Sequence, residues 1–216
     1  MGRDSRRPPP DLAPTTQLRS LAPAKLATAF RLAGIDILVI CTGNICRSPM
    51  AEAFLQRRLD GIGEEARVHS AGLLSAGNPA SAEGVEILAA MGVDKSAHRS
   101  RRMSEDLLAP ADLVLGMARE HVREAVSTVP DAWPRTFTLK ELVRRGEELG
   151  GRARGQGFED WLAKLHVGRS RNDLLGYSAA DDVADPIGRG ANFYRGTAEE
   201  LDDLARRLVE LGWGGH

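Results

Sequence analysis

The sequence predicts an α/β protein: a four-stranded parallel sheet with helices on both faces. Short, continuous, β-branched runs such as IDILVI (35–40) and ADLVLGM (111–117) read as strands buried on both sides. They alternate with segments of helical periodicity, and that alternation implies parallel strands joined by right-handed crossovers. The first run also ends in a short loop that opens a helix. Open parallel sheets bind ligands at such a point, beyond the carboxyl ends of the strands.

Residues 1–33 stand apart from this pattern. MGRDSRRPPPDLAP holds four prolines and three arginines and has no apolar period, so a disordered tail is expected. LRSLAPAKLATAFRLAG carries a weak amphipathic pattern through Leu18, Leu21, Leu26 and Phe30. Rich in Arg and Ala and free of Glu, it faintly resembles a transit peptide, but it lacks the apolar core of a secretory signal.

Residues 34–216 carry the expected domain. The first strand, 35–40, leads to a helix from Pro49 to about Leu59, with Ser48 as N-cap and Pro49 at the first helical position. EARVHS (65–70) reads as the second strand. Ser81 caps a helix through Met91, and Ser104 starts a short one at SEDLL. ADLVLGM is the third strand, backed by a helix over REHVREAVS. RTFTLK (135–140) reads as the fourth strand. The last helix is expected from about Thr197 to Leu211, with Leu201, Leu204, Leu208 and Leu211 on one face. Between them, about 143–181, RRGEELGGRARGQG is glycine-rich and charged. FEDWLAKLH follows with one or two helical turns that bury Trp161 and Leu162. This stretch reads as an insertion packed on the core, with a lid as the functional alternative.

Composition narrows the function classes. A net charge of −1 gives no global field toward nucleic acid or acidic lipid. No apolar run approaches the roughly 18–20 residues that span a bilayer. Two cysteines in 216 residues do not make a disulfide scaffold, so a cytoplasmic setting with reactive thiols is expected. No metal-ligand spacing links the histidines and cysteines, and no cofactor is implied.

Both cysteines lie in CTGNICRSPMAE (41–52). A Cys-x5-Arg spacing alone is weak evidence; its context is strong. Cys41 follows a buried strand, and Gly43 and Asn44 are the residue types that best tolerate a left-handed backbone. The loop runs into a helix N-terminus, where successive backbone N–H groups form an anion nest. Arg47 adds a planar fork for two oxyanion oxygens. These donors favour a thiolate at Cys41, placed beneath a bound phosphate for in-line attack. A phosphoester leaving group needs a proton, and Asp185 in DDVADPIG, stiffened by Pro186, is the candidate acid. An Asp-Pro turn before the last helix is the simpler reading of that motif taken alone.

Five stretches in order then carry a resemblance: CTGNICRSPMAE, HSAG (69–72), HRSRRMSEDL (98–107), ADLVLGM and Asp185-Pro186. Over about 35–211 the chain resembles the low-molecular-weight protein tyrosine phosphatases. The resemblance implies hydrolysis of a phosphorylated protein substrate through a cysteinyl phosphate. Cys41 would be nucleophile, Arg47 the phosphate-binding arginine and Asp185 the general acid. Thr42, Gly43, Asn44, Ile45, Cys46 and Ser48 would line the phosphate loop, with the Ser48 hydroxyl supporting the thiolate. Ser70 and His98 would brace the loop together with Asn44. Cys46 would close a reversible, protective disulfide with Cys41; a small buried core thiol is the alternative. His69, His121, His166 and His216 are expected to be surface or packing residues.

Two departures bear on specificity. Where phosphotyrosine enzymes of the family often carry aromatics, this chain has Ile187-Gly188 after Asp-Pro and Leu73-Leu74 after Ser-Ala-Gly. Phe193 or Tyr194 would have to substitute. FTLKEL, and the run from DPIG through Tyr194 to TAEEL, resemble the family's arginine phosphatase branch, which has Thr where this chain has Ile45. Ile45 favours the phosphotyrosine reading. A small-thiol-dependent arsenate reductase is a lesser alternative; the thioredoxin-linked type would need cysteines beyond Cys46. A binding module with a dead site is a further one, and the joint presence of Cys41, Arg47 and Asp185 argues against it.

Overall fold

The structure, a computed structural model, describes Met1 and residues 34–215. The tail expected over 1–33 therefore lies outside the described residues, Met1 apart. Ala33–His216 form one compact unit. Its elements are β1 (Ile35–Cys41), α1 (Arg47–Gly61), β2 (Ala66–Gly72), α2 (Ala82–Ala90), α3 (Glu105–Leu108), β3 (Leu113–Gly116) and α4 (Arg119–Thr128). A 3₁₀ turn (Pro130–Arg135), β4 (Thr136–Thr138), α5 (Leu139–Leu149), α6 (Phe158–His166), a second 3₁₀ turn (Arg171–Leu174) and α7 (Ala191–Trp213) follow.

The four strands form one parallel sheet in the order β2-β1-β3-β4. β1 is paired along both edges, with Ile37 opposite both Val68 and Leu113. Alternation along β1 divides the core. Ile37, Val39 and Cys41 join Phe54 of α1, Leu142 of α5, Trp161 of α6 and Leu201 and Leu208 of α7. Leu38 and Ile40 pack on the opposite side with Leu108, Val114 and Ala125. Both faces are covered, which is why β1 reads as a continuous apolar run. Each fully buried aliphatic or aromatic side chain here contributes about 1.5–3 kcal/mol of transfer free energy. Among the described residues no helix is long and apolar enough to cross a membrane.

Four local expectations need correction. Helix α1 begins at Arg47 with Cys46 as N-cap, so Ser48 is not the cap and Pro49 sits at the third helical position. Proline fits there because the first four amides of a helix have no intrahelical partner. The fourth strand covers only Thr136–Thr138. Thr138 already caps α5, its hydroxyl accepting the Glu141 N–H at 3.0 Å, so TLKE is a helix start. RRGEEL is helical within α5. Its Gly146 faces α7, where a β-carbon would stand 2.9 Å from Leu211 Cδ1. The last helix starts six residues early, at Ala191, and buries Tyr194 on its first turns.

The stretch after α5 is tied down by buried groups. Trp161 is fully buried. Arg169 is sandwiched between Trp133 and Phe137, 3.9 Å from each ring centroid. Glu141 holds its guanidinium through two bonds of 2.6 and 2.9 Å. A planar cation between aromatic faces and a bidentate carboxylate is a strong local anchor.

Candidate active site

Cys41 ends the central strand, opposite Gly72 of β2. The chain must then turn sharply to enter α1. It does so through Asn44, the single non-glycine residue with positive φ (53°) among the described residues; Gly43 is not left-handed, contrary to the sequence expectation. Asn44 is fully buried and every polar group of it is used. Its N–H donates to Cys41 Sγ at 3.2 Å. Its side-chain amide donates to Ser48 Oγ (3.0 Å) and Ser70 Oγ (2.8 Å). Its Oδ1 accepts the Arg101 N–H at 2.8 Å, and its carbonyl meets His98 Nε2 at 2.7 Å. Gly72 makes the close approach possible, since a β-carbon there would lie 2.9 Å from the Asn44 backbone and from the Thr42 carbonyl.

Asn44, Ser48, Ser70 and His98 are thus brought together as the sequence suggested. Asn44→Ala should cost about 2–4 kcal/mol, from stranded buried polar groups and a strained alanine. Asn44→Gly should recover about 1 kcal/mol of that by removing the strain. Urea unfolding of the two variants checks this; equal losses would mean that the backbone at 44 is not strained.

The loop presents donors to Cys41. The first amide bonded within α1 is that of Met50, to the Cys46 carbonyl, so the helix makes no use of the amides of Cys46, Arg47 and Ser48. The Ser48 hydroxyl lies 3.0 Å from Cys41 Sγ. An oxyanion above the sulfur would meet these groups at a helix N-terminus.

Arg47 is buried and brings the loop and the Asp185 segment together. Its Nη1 donates to the Val183 carbonyl (3.2 Å); its Nη2 donates to Thr42 Oγ1 (3.1 Å) and Asp185 Oδ2 (2.6 Å). Asp185 Oδ1 accepts the Ile187 N–H at 3.2 Å, an Asx turn over Pro186. The segment is held further back by Asp181, clamped by Arg119 (2.8 Å) and Arg144 (2.8 Å), and by Asp182, which accepts the Arg119 N–H at the start of α4 (2.8 Å). Asp185 thus reaches the Cys41 loop from 138 residues away in sequence.

Cys41 and Cys46 are both free and buried. Burial pushes the Cys46 thiol up to about 12 and the Tyr194 hydroxyl beside it to about 12, so both hold their protons at neutral pH. Tyr194 is 3% exposed and packs in the core, so it forms no aromatic wall. Phe193 is partly buried, with the Arg189 guanidinium 4.7 Å from its ring centroid. Leu74, whose N–H bonds the Thr42 carbonyl, is 58% exposed, and Ile187 is 50% exposed. The loops flanking the site thus offer aliphatic side chains where aromatics were sought.

Sequence reasoning missed several contributors. Glu52, the last residue of the opening motif, accepts from the Ser70 hydroxyl and pairs with Lys95 at 2.5 Å, which extends the Asn44 network to the surface. Nothing in the local sequence around Glu52, the sixth residue of α1, signalled this. His69 and His121, read as surface or packing residues, both make polar contacts. His69 joins Asp36 (2.7 Å) and Arg101 (3.1 Å). His121 is fully buried at 3.1 Å from Thr42 Oγ1. The signal for His121 was its place just past the carboxyl end of β3, beside that of β1. His166 packs edge-on against Trp133, as a packing residue would, and His216 lies outside the described residues.

Comparison with known proteins places the chain in a family. The family model for low molecular weight phosphotyrosine protein phosphatases matches residues 36–150. A probable low molecular weight protein-tyrosine-phosphatase, EpsP, of Ralstonia solanacearum is 38% identical over 133 residues, 61% of this chain and 89% of that protein. A protein-arginine-phosphatase of Geobacillus stearothermophilus is 33% identical over 177 residues, 81% of this chain and 93% of that protein. The crystal structure of a low molecular weight protein tyrosine phosphatase from T. tengcongensis is similar with a TM-score of 0.63 and 35% identity, over 82% of this chain and 99% of that one. With a phosphatase family model spanning more than half its length and relatives matched almost end to end, the chain belongs to the low molecular weight phosphotyrosine protein phosphatase family.

Proposed function

We propose that the protein hydrolyses phosphotyrosine on protein substrates through a cysteinyl-phosphate intermediate. The observation that carries this reading is the convergence of Cys41, Arg47 and Asp185 at one strand end, with the Asn44 N–H on Sγ and Arg47 bridging to Asp185. Phosphate binding replaces the Asp185 carboxylate on the Arg47 fork. Arg47 and the loop amides then hold the equatorial oxygens while Cys41 Sγ attacks phosphorus in line. Asp185, released from the arginine and protonated, gives its proton to the leaving oxygen. In the second half it takes a proton from the water that displaces Cys41.

Cys46 serves as the resolving thiol under oxidation. A peroxide converts the Cys41 thiolate to sulfenic acid, Cys46 displaces water from it, and two external thiols restore both cysteines. The proton held on Cys46 by burial slows that step at neutral pH.

The alternative is phosphoarginine. It is favoured by the protein-arginine-phosphatase of Geobacillus stearothermophilus, which aligns over 81% of this chain, against 61% for the Ralstonia solanacearum tyrosine-phosphatase relative. Ile45, partly buried against the core, favours tyrosine, because a hydrocarbon at the cup offers no hydroxyl to a guanidinium. Turnover of phosphotyrosine, phosphoserine and phosphoarginine peptides decides the matter. Phosphotyrosine should lead both others by at least about tenfold in kcat/KM, a difference of about 1.4 kcal/mol in transition-state binding. A phosphoarginine preference would transfer the same chemistry to the other branch.

A further inference from the structure

The mechanism above makes no use of the buried His121, although its ring lies one residue away from the phosphate-binding arginine. His121 Nε2 is 3.1 Å from Thr42 Oγ1, and Thr42 Oγ1 is 3.1 Å from Arg47 Nη2. Glu120 Oε1 closes the group at 3.4 Å from Thr42 Oγ1 and 3.4 Å from His121 Nε2. The imidazole has no solvent exposure, and its Nδ1 finds no hydrogen-bond partner among the described residues. Burial, reinforced by the positive charges of Arg47 and Arg123, pushes its pKa down to about 3. The ring is therefore neutral at any working pH and carries one proton.

That proton has one useful place. On Nδ1 it would be a buried donor with nothing to bond, whereas on Nε2 it points at Thr42 Oγ1. Thr42 then receives two N–H donors, from His121 and Arg47, and its own hydroxyl hydrogen is directed to Glu120. A hydroxyl has two lone pairs and one hydrogen, so the Thr42 side chain is saturated and cannot rotate without losing bonds. One edge of the Arg47 fork is thereby fixed, while the Asp185 bond on the same nitrogen can be exchanged for a phosphate oxygen.

We propose that His121 is a positioning residue for phosphate binding, acting through the Thr42 hydroxyl to hold the Arg47 guanidinium in the plane that receives the phosphoryl oxygens. This rests on Arg47 being the residue that binds phosphate. It predicts that losing the imidazole N–H weakens the binding of phosphate itself, beyond any effect on stability.

The test is a double-mutant cycle read by the competitive inhibition constant of inorganic phosphate, alongside kcat and KM for p-nitrophenyl phosphate. His121→Leu and Thr42→Val should each raise the phosphate inhibition constant about five- to tenfold, in the range of a single neutral hydrogen bond. KM should rise with it, and kcat should fall by less. Together the two substitutions should cost no more than about twice what either costs alone, because both cut one path. His121→Gln, whose amide nitrogen stands the same number of bonds from Cα as Nε2, should restore the constant to within about twofold of the natural protein. If His121→Leu does not fold, the cycle is run with His121→Asn, whose amide matches Nδ1 and stops short of Thr42. Multiplying effects, or a phosphate constant unmoved in folded His121→Leu or His121→Asn, would overturn the proposal. Arg47→Lys separates the premise: if it leaves phosphate binding intact, the role of Arg47 is wrong, whereas weakened binding in Arg47→Lys with none in the His121 variants removes only the role of His121.

Discussion

Cys41→Ser should abolish turnover of every phosphomonoester, by about 10⁴-fold or more, while leaving inorganic phosphate binding nearly intact. The reason is local. The Asn44 N–H at 3.2 Å and the Ser48 hydroxyl at 3.0 Å are arranged around the sulfur. A serine hydroxyl in that place keeps its proton, since among the described residues its hydrogen-bond partners are an amide and a hydroxyl, neither a general base. The amides at the start of α1 and the Arg47 fork are unchanged by the substitution, so the oxyanion still finds its donors. Calorimetric titration with phosphate and a p-nitrophenyl phosphate assay measure the two halves. A Cys41→Ser protein that keeps more than a few per cent of its activity would place the nucleophile elsewhere.

The second large effect is expected at Asp185. Asp185→Ala should lower turnover of phosphotyrosine by about 10²–10⁴-fold, the usual contribution of a positioned general acid. It should slow phosphoenzyme formation from p-nitrophenyl phosphate much less, because nitrophenolate is a far weaker base and leaves without a proton. The same substitution removes the carboxylate that pairs with Arg47 Nη2 at 2.6 Å. Phosphate should therefore bind as tightly as before or more tightly. A fall in kcat with no rise in the phosphate inhibition constant is the expected pair of results. Equal slowing of phosphoenzyme formation for good and poor leaving groups would count against an acid role.

The residues of the candidate site differ in how far the sequence carries them. Cys41 and Arg47 were readable because strand, loop and helix are contiguous, and each residue type in CTGNICRS has a local physical reason to be there. Asp185 was readable only through the stiffness of Asp-Pro and the need for a proton donor, since nothing local links it to residue 47. Much of the fold was equally plain, as β1 and β3 are buried on both faces and show it in their composition.

What stayed hidden depended on tertiary packing. Ser48 looked like a helix cap, and only the turn at Asn44 moves the cap to Cys46 and frees the hydroxyl for Cys41. Gly146 made α5 look like loop because its reason for being glycine is Leu211, 65 positions away. Likewise Tyr194 looked available as a wall until the early start of α7 turned it beneath Cys46. His121 sat in an ordinary helix pattern, and Thr42 gives it a polar partner from another strand end.

The central claim is that phosphorus passes through the sulfur of Cys41. Rapid alkaline quenching during turnover of a phosphotyrosine peptide, followed by peptide mapping in a mass spectrometer at alkaline pH, tests it most directly. The account predicts a phosphoryl group on the peptide carrying Cys41, stable at alkaline pH and lost in mild acid as a phosphorus–sulfur bond is, that forms within the first turnover and disappears when substrate is exhausted. Steady turnover with no phosphorylated peptide at any time, or a phosphoryl group on a residue other than Cys41, would contradict it.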